Sequence, residues 1–182
     1  MLNATITYKD KIHFYETIAP LNCKFDGTNY FKQLSNQSTR KITISHDEES
    51  HKILFSLPNE VSFEECQKAN TIIRFIADNV QGEIDDERAQ LGYDEEGKPV
   101  YIYHRFEHWV EFIDEAKHRS LEGQKVAVLH GKEILGEGLL LTFKKEQPID
   151  DSSQPVISCT LLTTDGEESF YGELKVEPIT QW

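Results

Sequence analysis

The chain has 182 residues, enough to bury a core without disulfides or metals. Thirty-eight per cent of residues are apolar and 28% are charged, as in an ordinary globular protein. The charge is one-sided: 32 Asp and Glu face 19 Lys and Arg, a formal net charge of −13. That field opposes binding to nucleic-acid phosphates and anionic lipid, and it favours basic proteins and cations. The excess is about even on both sides of residue 120, −7 before and −6 after, so it does not come from one acidic tail.

Residues 4–18 read as a hairpin. Ala4–Tyr8 and Ile12–Ile18 are β-prone and Lys9-Asp10-Lys11 separates them. The stretch 20–38 is irregular, with Asp26-Gly27 as a turn. Arg40–Ser45 and Lys52–Leu57 form a second hairpin across Asp47-Glu48-Glu49-Ser50. Ser62-Phe63-Glu64-Glu65 has the capping-box pattern that starts a helix. Cys66, Ala69, Ile73, Ile76 and Val80 then recur at helical spacing, and Gly82 supplies a stop.

Glu83–Glu87 forms a short acidic edge and Asp94-Glu95-Glu96-Gly97 a turn. Val100–Tyr103 is a strand. A second helix covers Glu107–Arg119, with Trp109, Phe112, Ile113 and Ala116 on one face. After Gly123 the period changes to two. Strands are expected at Lys125–Leu129, Ile134–Lys144, Val156–Thr163 and Ser169–Val176, with Gly136 and Gly138 permitting a bend or bulge. Asp165-Gly166 is a hairpin turn candidate.

The fold class is therefore α+β. An N-terminal antiparallel sheet with two amphipathic helices, residues 1–120, precedes an all-β module, residues 121–182, built as a small barrel or a curled antiparallel sheet. The link at 120–124 is short enough for the two to form one continuous domain.

The three cysteines are Cys23, Cys66 and Cys159, with no C-x-x-C pair. Cys66 and Cys159 fall on apolar faces and read as buried thiols of a reducing compartment. No apolar stretch resembles a signal sequence or a membrane span, so a cytoplasmic location is expected, with no membrane partner.

Walker, dinucleotide and nucleophile-elbow motifs are missing, and no cofactor is expected. One metal pattern is present. His104-Arg105-Phe106-Glu107-His108 fits H-x-x-E-H, in which two histidines one turn apart on a helix bind zinc and the glutamate activates water. Glu173 or Glu177 would have to complete the ligand set. The opposing reading ends a strand at His104 and turns Trp109 and Phe112 to the core.

The carboxylates Asp85, Asp86, Glu87, Asp94, Glu95 and Glu96 lie beside Tyr93, Tyr101, Tyr103, Phe106 and Trp109. Acids steer a basic partner and aromatics anchor it. Asp85, Asp86, Glu87, Asp94, Glu95, Glu96, Tyr101, Tyr103 and the terminal Trp182 are the candidate contact residues. The competing readings are solvated loop acids and core aromatics. In size and charge, with no shared motif, the chain resembles immunity proteins that neutralise basic toxin domains in bacterial competition systems. The resemblance implies a non-enzymatic binder that blocks a basic partner's surface. A zinc hydrolase using His104, Glu107 and His108 is the first alternative. A structural or adaptor component of a larger assembly is the second.

Overall fold

The computed structural model describes residues 1–36, 38–146 and 156–179. The protein is α+β, with thirteen strands and three α-helices among these residues. It divides into two compact units, Met1–Trp109 and Val110–Trp182.

The first unit is built on a six-stranded antiparallel sheet. Its strands are β1 (Leu2–Thr7), β2 (Lys24–Phe25), β3 (Tyr30–Gln33), β4 (Lys41–Asp47), β5 (Lys52–Leu57) and β6 (Glu83–Arg88). Their spatial order is β2-β3-β4-β5-β1-β6. The expected hairpin of β4 and β5 is present, with Ile44 opposite Phe55. Alternation places Ile42, Ile44, Ile53, Phe55, Leu57, Ala4 and Ile6 inside.

The expected hairpin over residues 4–18 is not formed. β1 lies between β5 and β6, while Phe14–Ile18 is a short helix, α1, followed by a 3-10 turn at Ala19–Leu21. Phe14 and Ile18 are four residues apart, and one helical turn buries both; an extended strand would also put them on one face. Periodicity in so short a segment does not separate the two forms.

The main helix α2 (Phe63–Val80) has the expected capping box. Glu65 N donates to Ser62 Oγ at 3.2 Å and Ser62 N donates to Glu65 Oε2 at 2.8 Å. Its buried stripe includes Cys66, Ala69, Ile72, Ile73, Ile76 and Val80. The helix stop differs from expectation. Gln81, not Gly82, takes the left-handed conformation, at φ 48°. Gly82 is needed for space, since a Cβ there would stand 2.3 Å from Ile6 Cγ2 and 3.0 Å from Thr7 O.

Strands β7 (Gln90–Tyr93) and β8 (Pro99–Tyr101) form a separate antiparallel pair around the acidic turn. Helix α3 (Phe106–Arg119) follows, and the unit boundary falls within it. Trp109, Phe112 and Ile113 are half-buried, while Ala116, expected with them, is exposed.

The second unit is an open five-stranded sheet in the order β12-β11-β10-β9-β13. The strands are β9 (Lys125–His130), β10 (Glu133–Glu146), β11 (Val156–Thr163), β12 (Gly166–Gly172) and β13 (Lys175–Pro178). The continuous strand expected over 169–176 is broken at Gly172, whose φ of 140° turns the chain away. β13 then pairs with β9 at the opposite edge. Val126, Val128, Leu140, Phe143, Cys159, Leu161, Leu174 and Val176 form the core of this unit. β10 bulges between Ile134 and Gly136, and a Cβ on Gly136 would lie 2.5 Å from the Phe170 ring. No helix among the described residues is long and apolar enough to cross a membrane.

Two outcomes follow from this packing. Replacing Gly82 with Ala should cost about 1–3 kcal/mol, read as a lower denaturation midpoint at unchanged slope. Burial pushes the Cys66 and Cys159 thiols up to about 11, while Cys23 is half-buried. At pH 8 a thiol reagent should label Cys23 at most until denaturant is added, and mass spectrometry after brief exposure checks it. Prompt labelling of all three native thiols would refute the packing of both apolar faces.

Candidate functional site

The acidic and aromatic stretch is organised by two buried carboxylates. On β6, Glu83, Asp85 and Glu87 alternate outward and are exposed, while Asp86 points inward. Its side chain is 3% exposed and accepts three hydrogen bonds: from Tyr103 N at 2.7 Å, His104 N at 3.0 Å and His104 Nδ1 at 2.6 Å. Asp86 thus holds the backbone and the imidazole of one turn.

Asp94 plays the same part at the β7–β8 turn. Glu96 N and Lys98 N donate to its Oδ1 at 3.0 and 2.9 Å. Its Oδ2 takes a fork from Arg105, through Nε at 3.0 Å and through Nη2. The Arg105 guanidinium, joined by the two backbone donors, holds the Asp94 carboxyl below its ordinary range against the opposing effect of burial. Arg105 itself sits at φ 63°, a left-handed conformation disfavoured because Cβ crowds the following carbonyl oxygen. The ion pair fixes a side chain on that strained residue immediately before α3.

The expectation that all six carboxylates face a partner is corrected here. Asp86 and Asp94 are buried, because each completes the donors of an otherwise irregular loop. Asp85, Glu87, Glu95 and Glu96 are exposed. Glu96 is paired with Lys98. The aromatics divide similarly. Tyr93 is 61% exposed, Tyr101 and Tyr103 are half-buried, and Phe106 is core. Trp109 packs against Phe63 and Phe106, with ring centroids 5.5 and 5.9 Å away. Trp182 lies outside the described residues, as do Asp150 and Asp151.

The H-x-x-E-H residues are spread over a turn and a helix. His104 lies in the turn before α3, with Nδ1 engaged by Asp86 and the side chain 55% exposed. Glu107 and His108 are exposed in the first turn of α3. Glu107 forms an ion pair with Arg74 at 2.6 Å. The helical i, i+4 placement of the two histidines is therefore not made, since α3 begins at Phe106. Glu173 and Glu177 belong to the second unit, where Glu177 pairs with Lys175. Among the described residues no group of three His, Cys, Asp or Glu side chains is arranged to hold a metal ion.

Sequence reasoning missed Arg74 and Arg105. Arg74 also lies over the Tyr103 ring, its Cζ 5.3 Å from the centroid. The available signal was the Asp94–Arg105 charge pair flanking a β-hairpin, but only the fold brings the two together. No protein-family model, curated protein or solved structure matches the chain.

The Asp94 carboxyl is depressed in the folded state, so its contribution to stability is present above the unfolded value of about 3.9. That contribution is lost as pH falls through the folded value. Asp94→Asn should therefore be less stable than wild type at pH 7, with the gap narrowing below about pH 4. Denaturant melts across pH 2–7 measure it, and a gap independent of pH would reject the charge pair as the cause.

Proposed function

We propose that this protein is a non-enzymatic binder of a basic protein, acting as an immunity-type inhibitor that occludes its partner's surface. The observation that carries the reading is the exposed acid row Glu83, Asp85 and Glu87 on an edge strand, joined through Tyr103–Arg105 to the acidic turn at Glu95 and Glu96. Residues 83–107 contain eight carboxylates and three Lys or Arg. Tyr93, 61% exposed, offers an aromatic anchor beside them. Such a surface raises encounter rates with a cationic partner, and rigid support limits the entropy lost on contact. A cytoplasmic location belongs to the same reading.

The sharper form of this proposal excludes Asp86 and Asp94 from the contact set, since reversing either would disrupt the scaffold. The test uses the triple reversal Asp85→Lys, Glu87→Lys and Glu95→Lys, with Tyr93→Ala as a separate variant. Basic proteins captured by the wild type from the native host at low salt should be lost by the triple variant. With a captured partner in hand, association should slow as salt shortens the screening length from about 30 Å at 0.01 M to about 8 Å at 0.15 M. The reversal should lower the on-rate and Tyr93→Ala should raise the off-rate. Circular dichroism checks that each variant is folded. Binding indifferent to salt and to the reversals would reduce the acidity to a solubility device.

A further inference from the structure

An open sheet ends in strands whose outer backbone groups lack a partner, and folded proteins usually blunt those edges. Most edges here are blunted. β2 has two residues and β13 has four, ending at Pro178. The register of β6 on β1 shifts between Asn3 and Thr5. β8 has three residues and begins at Pro99. β12 is different. It has seven residues, no Lys and no Pro, and it pairs with β11 without a bulge from Gly166 to Gly172.

The pairing fixes which backbone groups of β12 are free. Thr163 and Gly166 close a two-residue turn, and such a turn closes on a hydrogen-bonded pair. Pairs then alternate, so Leu161–Glu168 and Cys159–Phe170 are bonded and Thr160–Ser169 is not. The closer side-chain approach of an unbonded pair is seen there, with Thr160 Oγ1 3.1 Å from Ser169 Oγ. Glu167, Ser169 and Tyr171 therefore direct their N–H and C=O groups to the open edge. No other segment bonds to them among the described residues, and all three side chains are exposed, Tyr171 by 70%.

The edge is self-complementary about Ser169. An antiparallel copy centred there sets Ser169 opposite Ser169, Glu167 opposite Tyr171 and Glu168 opposite Phe170. Gly166 meets Gly172, and both glycines have positive φ, 122° and 140°, where the chain turns away. All three outward residues lie in bonded positions, so each pair exchanges both backbone bonds. No acid faces an acid. Along the strand the two Glu167 positions are about 13 Å apart and the two Glu168 positions about 7 Å. We propose that β12 pairs with β12 of a second copy of this chain about a two-fold axis at Ser169, joining the two five-stranded sheets into one. The contact is isologous and closes on itself. It does not depend on the binder reading above.

Sedimentation equilibrium of the full chain, from about 10 μM to about 1 mM, tests it; a contact of this size gives a weak, reversible dimer. Each copy carries a net charge of −13, so dimerisation should strengthen as the screening length falls from about 8 Å at 0.15 M salt to about 3 Å at 1 M. A basic partner on the acidic edge of β6 would respond to salt in the opposite direction. Glu168→Gln should tighten the dimer about threefold, the effect of one charge pair about 7 Å apart in water. Ser169→Pro removes a central outward N–H without costing a bond to β11, and should be monomeric. Register is read by crosslinking in a Cys23→Ser background under mild oxidation. Ser169→Cys should form an intermolecular disulfide, since bonded antiparallel pairs have Cα atoms about 5.5 Å apart. Tyr171→Cys should not, with its two copies about 13 Å apart. Should Ser169→Pro fold poorly, the two cysteine variants decide the matter. Monomer at every concentration in 1 M salt, a dimer that weakens with salt, or equal crosslinking at 169 and 171 would overturn the proposal.

Discussion

A carboxylate withdrawn from water must be surrounded by donors, and the first unit meets that constraint three times. Glu65, Asp86 and Asp94 are all buried, and each ties segments that are distant in sequence. Glu65 closes the capping box of α2 and also accepts from Ser38 Oγ at 2.5 Å and Arg40 Nη1 at 3.2 Å. Ser38, the Ser62 backbone and Arg40 together hold its carboxyl below the ordinary range despite burial. The same side chain therefore starts the helix and joins it to the segment entering β4. Removing any one partner would leave the others facing an incompletely satisfied charge, which costs more than the bond itself contributes.

This arrangement gives adjacent acids opposite tasks. Asp85 faces solvent and Asp86 faces the loop, because consecutive strand residues point to opposite sides. Asp94 closes the β7–β8 turn while Glu95 stands out of it. A net charge counted over the chain treats these residues alike. Their effects differ: the inward acids set the position of Tyr103–Arg105, and the outward acids shape the field at the surface.

Much of the architecture was legible where a local pattern had one physical solution. Ser62 and Glu65 allow reciprocal capping, and the β4–β5 and β9–β10 pairs have polar turns at the expected places. Failures came where local patterns were degenerate. Phe14 and Ile18 share a face in a helix and in a strand alike. Ser169–Val176 alternates throughout, yet the left-handed φ at Gly172 sends its two halves to opposite sheet edges. Within the acidic stretch, inward and outward carboxylates were not separable in the sequence. No spacing rule distinguishes Asp86 from Asp85 until the strand's inward face is known.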